Sequence, residues 1–374
     1  MAPRIEIYGL MGIKRKYFNS AIIINYRYMT RCVLEYQGYE SCGHKILCST
    51  GFMEPCRAGI WVDGSRIKRL IYDMVLSRPE DYFSIYQSTC NHGCLKCHSH
   101  YFSQNQIGSW YTPEDVLEEC LKYQEMVTVW EPRDRATMWH ASDLCAHCGS
   151  CILLGRRGKY CPGRLDKSQV LLSPQGYGPA RNIASFTGGD LYCNPAFYVK
   201  IFKLLDRETD LWIHIETNGF GLTRPNLEAY YSAGLDSIWL DLKAYNEDTY
   251  RSLCGTTNRW ILDLPSMIHD MGIVLEIVIL YIPGMVEAED IDGFGGLISS
   301  VDRDIPVTLL AFFPEYLMKG YRSPNLGEML EAYRILAYRH GLRRVRLGNI
   351  GVFCRSEADV DRLINEIGRS HVGL

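Results

Sequence analysis

Residues 82–98 read Tyr-Phe-Ser-Ile-Tyr-Gln-Ser-Thr-Cys-Asn-His-Gly-Cys-Leu-Lys-Cys-His. An apolar strand candidate at 82–88 runs straight into a loop holding Cys90, Cys94 and Cys97. Further strand candidates lie at 182–187, 211–217, 237–242, 274–282 and 307–313, with helix-period stretches at 195–205, 225–233, 258–271 and 325–340 between them. Thr112-Pro113-Glu114-Asp115 opens the first helix, with Thr as N-cap, Pro in the first turn and acids behind it. Strands that alternate with helices predict a parallel sheet, because each helix returns the chain to start the next strand in the same direction. The cysteine loop therefore sits at the carboxyl end of the sheet, where such folds place their chemistry.

Three cysteines within eight residues can wrap one iron–sulfur cubane but cannot complete it. The iron left open makes this spacing one for reactivity rather than electron storage. The alternative is a zinc site that borrows a ligand, with His92 and His98 at hand.

The Cys-x3-Cys-x2-Cys loop after a first strand resembles the radical S-adenosylmethionine superfamily, and the likeness continues at later strand ends. Thr187-Gly188-Gly189-Asp190 is similar to the superfamily's Gly-Gly-Glu motif, with Asp shorter by one methylene. Glu216-Thr217-Asn218-Gly219, Asp241-Leu242-Lys243, Leu253-Cys254-Gly255-Thr256-Thr257-Asn258 and Ile282-Pro283-Gly284 resemble segments of the pyruvate formate-lyase activating enzymes. The resemblance implies a partial (β/α)6 TIM-like barrel. It also implies a site-differentiated [4Fe–4S] cluster on Cys90, Cys94 and Cys97 that cleaves S-adenosylmethionine to a 5′-deoxyadenosyl radical. Gly188, Gly189 and Asp190 would hold the methionine amino group. Asp190 and Lys243 supply an anion and a cation for a zwitterion, Asn218 and Asp241 are acceptors for ribose, and the glycines let backbone approach the ligand. Glu216, Thr217 and Asp241 match positions near a bound monovalent cation in the activating-enzyme group.

Two departures from that group stand out. Lys96 occupies a position that is usually aromatic, and Phe313 occupies that of a ribose-contacting His; the neighbouring His98 is the candidate substitute. These put the adenosine contacts, not the cluster, in question.

The chain divides on this reading into 1–80, a cysteine-containing N-terminal section; 81–127 and 182–345, the barrel; 128–181, an insertion; and 346–374, a C-terminal helical extension with a helix near 357–367. The insertion carries Cys145, Cys148, Cys151 and then Cys161-Pro162, similar to a ferredoxin-like run apart from a nine-residue final gap. Four thiolates close a centre, either a second [4Fe–4S] cluster or mononuclear zinc or iron. Arg156, Arg157, Lys159 and Arg164 in that gap are a solvated loop or a docking surface for reduced flavodoxin or ferredoxin.

Fifteen cysteines in 374 residues with no signal-peptide core and no long apolar run favour metal centres over disulfides and a cytoplasmic setting. A net charge of −3 disfavours nucleic acid as the partner. In the N-terminal section, 21–29 is the best strand candidate. Cys32, Cys42, Cys48 and Cys56 there, with His44 among them, are either a third metal centre or buried thiols. Cys120 reads as core, Cys193 as facing the site, and Cys254 and Cys354 as structural.

The function expected is radical modification of a substrate, with a protein favoured over a small metabolite or RNA. The competing classes are a non-catalytic iron–sulfur carrier, which does not account for the Gly-Gly-Asp and Asp-Leu-Lys strand ends, and a zinc-stabilised scaffold on a decayed barrel, for which only Lys96 and Phe313 speak.

Overall fold

A computed structural model describes residues 32–49, 51–163 and 165–374. The strand candidate at 21–29 and Arg164 lie outside the described residues. The main sheet has ten strands, here β1 (Ile60–Asp63), β2 (Arg66–Leu76), β3 (Phe83–Gln87), β4 (Ser109–Tyr111), β5 (Ile183–Gly188), β6 (Trp212–Thr217), β7 (Ser237–Leu242), β8 (Val274–Tyr281), β9 (Val307–Ala311) and β10 (Val345–Gly348). From β3 through β5 to β10, each strand pairs in parallel with the next, in chain order. β2 joins the near edge antiparallel to β3 and in turn pairs with β1 and β4, so the sheet runs back across position 80.

Chain-order pairing with right-handed crossovers keeps the helices on one side of the sheet. The parallel strands consequently have two different faces. Phe83, Ile85, Ala184, Phe186, Ile213, Ile215, Ile238, Leu240, Ile277 and Ile279 point to the helices and are buried in the principal core. The alternate residues, among them Ser84, Tyr86, Thr187, Glu216, Trp239, Asp241, Val278 and Leu280, point to the inner side and line a cavity. This period of two makes the sheet half of a barrel and half of a binding surface at once.

All six strand candidates are present. Thr112 caps the helix Pro113–Gln124 as expected, accepting a hydrogen bond from Asp115 N while Asp115 accepts from Thr112 N. The helix Pro195–Glu208 buries Phe197, Tyr198, Ile201, Phe202 and Leu205 along one stripe.

Several elements escaped the pattern, among them one helix and the last strand. The helix Ala288–Val301 contains Gly293, Gly295 and Gly296, poor helix formers. They are there because the Tyr245 ring would lie 2.5 Å from a Cβ at 293, and the His340 ring 2.3 Å from one at 295. Strand β10 is short and centred on Arg346, whose guanidinium stacks over Trp139 at 4.1 Å.

The first part of the insertion crosses the amino-terminal ends of the strands. Arg133 pairs with Asp236 at 2.9 Å, Glu131 N donates to Asn182 Oδ1, and Trp139 N donates to Glu276 Oε2 on the inner face of β8. Met138 forms part of the cavity floor.

Glu276 is fully buried, and burial pushes its carboxyl up to about 7 against hydrogen bonds from Trp139 N and Thr308 Oγ1. A carboxyl raised in the folded chain holds its proton where the unfolded chain has released it, so stability falls as pH rises from about 4.5 through 7. Glu276→Gln should remove up to about 3 kcal/mol of that loss, read as a smaller difference between urea midpoints at pH 5 and pH 8 than in the parent.

Candidate functional site

The site is a cavity of about 600 Å³ at the carboxyl ends of the parallel strands. Cys90, Cys94, Cys97, His98, Gly188, Asp190, Glu216, Thr217, Asn218, Asp241 and Lys243 all line it, and Gly189 stands in the turn behind. Residues on four different strand-end segments therefore meet at one place. No other cysteine is among its lining residues.

Asp190 ties three of those segments together. Its Oδ1 accepts from Asn91 Nδ2 at 3.3 Å and Tyr192 N at 3.1 Å. Its Oδ2 accepts from Thr217 Oγ1 at 2.6 Å and Asn218 N at 3.0 Å. Asn91 N donates to the Asp190 carbonyl, and Asn218 Nδ2 donates to Asn91 Oδ1 at 2.8 Å. Burial raises the Asp190 carboxyl, while these donors and Arg69 pull the other way. Four donors match the acceptor capacity of a carboxylate. The shorter side chain is thus drawn onto protein, with Thr217 and Asn218 engaged as well. Asn91 was overlooked in the sequence, although it stands between two of the cysteines.

The paired glycines also have a protein-side reason. A Cβ at Gly189 would lie 2.2 Å from the Thr89 carbonyl oxygen, and Gly188 adopts a φ of +87°. Close backbone approach to the cysteine loop itself, not only to a ligand, requires them.

The loop is gripped on its other side too. Gly93 N donates to Cys254 O and Leu95 N to Leu253 O, and the Cys254 thiol hydrogen-bonds Cys94. Cys254 is fully buried behind the loop. Cys90 is raised well above the usual thiol range, chiefly by burial; Cys94 is raised first by Cys254 and then by burial; Cys97 is raised by burial. Three buried thiols of this kind ionise when a cationic centre compensates them.

Neither histidine of the zinc alternative joins the thiols. His92 Nε2 lies 2.9 Å from Tyr250 Oη, and burial lowers its ring to about 3. His98 Nδ1 pairs with Glu315 at 3.1 Å. Among the described residues, no three His, Cys, Asp or Glu side chains converge closely enough to hold a single ion. That includes Cys145, Cys148, Cys151 and Cys161, which are apart from the cavity, with Cys148 exposed and Cys145 buried.

Lys243 is an ion-pair partner of Asp241 on its own strand end. Burial alone would lower its ammonium, but Asp241 and then Cys94 carry it up. Glu216 accepts from Tyr82 Oη at 2.7 Å and Thr187 Oγ1 at 2.6 Å, and burial lifts it to about 7.

The two departures prove to be one feature. The Lys96 ammonium sits 4.1 Å from the Phe313 ring centroid, and the His98 ring meets the same Phe edge-on at 6.0 Å. The two departures from the family pattern therefore meet as one cation–π contact.

A family model described as the radical SAM superfamily matches residues 175–292, the stretch from before β5 to the helix after β8. Over that stretch the chain is similar to the radical SAM superfamily. A 147-residue stretch is 26% identical to the pyruvate formate-lyase-activating enzyme of Clostridium pasteurianum, covering 39% of this chain and 60% of that relative. Similar solved structures include a domain of a pyruvate-formate lyase-activating enzyme from Bacteroides vulgatus ATCC 8482, with 17% identity, TM-score 0.39, and coverage of 44% of this chain and 98% of that one. Streptococcus suis SuiB bound to precursor peptide SuiA shows 12% identity and a TM-score of 0.49, covering 77% of this chain and 52% of that one.

The radical SAM superfamily implies a [4Fe–4S] cluster and S-adenosylmethionine. The donor set fits that group: three thiols of one loop face a cavity of ligand size, and the lining offers no fourth.

Removing the Asp190 carboxylate strands four donors at once. Asp190→Ala should cost at least about 3 kcal/mol in urea unfolding, whereas Asp241→Ala, at a partly exposed pair, should cost under about 1 kcal/mol. A double-mutant cycle of Lys96→Ala and Phe313→Ala should return a coupling of about 0.5–2 kcal/mol in the same measurement.

Proposed function

We propose that this chain is an enzyme that binds S-adenosylmethionine at a cluster on Cys90, Cys94 and Cys97 and uses it to abstract hydrogen from a protein side chain. The observation that carries the reading is the set of three thiols facing a cavity whose other walls are the matching strand ends. When bound, the cluster would supply one electron to the sulfonium, whose S–C5′ bond breaks to give methionine and a 5′-deoxyadenosyl radical able to take a hydrogen atom.

The remaining work belongs to the chain. Cys90, Cys94 and Cys97, all lining the cavity, would hold the cluster. Lys243, steadied by Asp241, offers the cation for the methionine carboxylate, and the Gly188-Gly189-Asp190 turn faces its amino group. Lys96, Phe313 and His98 wall the adenosine side. The apolar inner residues Val278, Leu280, Ile282 and Leu310 exclude water from the far side.

A protein substrate is the reading favoured by the likeness to an activating enzyme.

For the electron donor the reading names reduced flavodoxin or ferredoxin, docking at the insertion. There Leu153 and Leu154 are exposed beside exposed Arg156 and Arg157, an apolar contact with basic neighbours. Lys159 is not free for this, being paired with Asp361 at 2.6 Å. A second iron–sulfur centre on Cys145, Cys148, Cys151 and Cys161 at that surface is favoured over a mononuclear ion by the ferredoxin-like spacing.

Anaerobically reconstituted, dithionite-reduced protein should form 5′-deoxyadenosine from S-adenosylmethionine, measured by chromatography. Cys94→Ala should abolish the product, while Cys148→Ala should retain it with dithionite, which needs no docking surface. Absence of product from fully loaded parent protein contradicts the reading.

A further inference from the structure

The cysteines of the N-terminal section are not grouped as their sequence neighbourhood suggests. Cys48 lies in a small separate core with Ile46, Ala58 and Met53. Cys56 instead reaches Cys193, 137 positions later, with 3.2 Å between the sulfurs. A disulfide bond is about 2.05 Å long, so a closing movement of roughly 1 Å joins the two.

The two thiols differ in a way that suits exchange. Cys56 is half-buried on the short helix Pro55–Gly59, with Glu54 and Arg57 exposed beside it. The hydrogen bond from Cys193 holds the Cys56 thiol below the usual range against the effect of burial, and the charge of Arg69 works in the same direction. Cys193 is buried, and the same contact followed by burial raises its thiol well above that range. An accessible, more acidic thiol beside a buried one is the arrangement of an attacking and a resolving cysteine. Burial raises Cys32 and Cys42, the latter to about 12, so neither competes as a nucleophile.

The surroundings decide which side moves. Asn226 Nδ2 donates to the carbonyls of Tyr192 at 3.3 Å, Cys193 at 3.4 Å and Gly221 at 2.9 Å. A Cβ at Gly221 would lie only 2.3 Å from Cys193 N, so the Cys193 backbone is fixed against the turn after β6. The gap therefore closes from the Cys56 side, on a helix of five residues at the protein surface.

We propose that Cys56 and Cys193 are a redox-active pair that closes to a disulfide, clasping the N-terminal section onto the turn that carries Asp190. The oxidant is a small-molecule disulfide. The Cys56 sulfur attacks it, forming a mixed disulfide and expelling one thiolate. The Cys193 sulfur then attacks Cys56 and expels the second. Two protein thiols are oxidised, one disulfide is reduced to two thiols, and the two cysteine protons pass to the released thiolates. An excess of a small dithiol drives the reverse. Closing joins residues 137 positions apart, and a cross-link gains effect with the length of chain that it closes. The signature of the clasp is thus an unfolding midpoint that follows the redox state.

The test holds full-length wild-type chain, folded and anaerobic, in mixtures of reduced and oxidised glutathione. Free thiols are then alkylated and the cross-links mapped by peptide mass spectrometry. The Cys56–Cys193 cross-link should form, and dithiothreitol should reverse it. The oxidised chain should unfold at a higher urea concentration than the reduced one. Cys56→Ser should abolish this difference, whereas Cys48→Ser should retain it. Both thiols still free in an excess of oxidised glutathione overturn the proposal. So do a cross-link from Cys56 or Cys193 to any other cysteine, glutathione left standing on Cys56, and equal midpoints in the two states. The mapping uses the unaltered chain, so a folding defect in a variant cannot stand in for a result. Neither thiol lines the cavity, so none of these failures touches the proposed function.

Discussion

The site hangs on the buried carboxylate of Asp190. Its four hydrogen bonds join the cysteine loop after β3, the Gly-Gly-Asp turn after β5 and the Thr-Asn-Gly turn after β6. Each of those turns leaves the sheet in a direction of its own, and only a shared acceptor makes them a single rigid wall. A carboxylate removed from water is costly unless every lone pair is used; here all are used, so the cost becomes a constraint on geometry. Gly189 follows from the same constraint, since the Thr89 carbonyl presses where a side chain would stand.

The sheet explains why such a wall can exist. Alternate residues of each parallel strand serve two environments, apolar toward the helices and mixed toward the cavity. The strands were legible because their outward residues are apolar in every second position. Their parallel direction was legible because the helices between them return the chain to the same edge. The edge strands β1, β2 and β4 and the last strand β10 were not: they are held by pairing and by contacts such as Arg346 on Trp139, which leave little periodic trace. The glycine-rich helix Ala288–Val301 was hidden because its glycines answer to Tyr245 and His340, far away in sequence.

The candidate site was legible to a similar extent and for a similar reason. Residues directly after strands are brought together by the fold, so Cys90, Asp190, Asn218 and Lys243 meet although they span more than 150 positions. What each touches was not legible. Asn218 donates to Asn91, and Lys243 pairs with Asp241. Lys96 and Phe313 read as two separate departures until the structure put one over the other. Cys193 was seen to lie close to the site, but its partner Cys56 belongs to a section without strand periodicity, and nothing local announces that contact.

The central claim is that three thiols, held by the Asp190 wall, leave one iron of a [4Fe–4S] cluster open to S-adenosylmethionine. Electron paramagnetic resonance of the reduced, reconstituted protein tests this without reference to any substrate. A chain retaining only the Cys90, Cys94 and Cys97 centre should give a cluster signal whose g-values shift when S-adenosylmethionine is added, because the ligand changes the coordination of that iron. A signal unaltered by saturating S-adenosylmethionine would contradict the account.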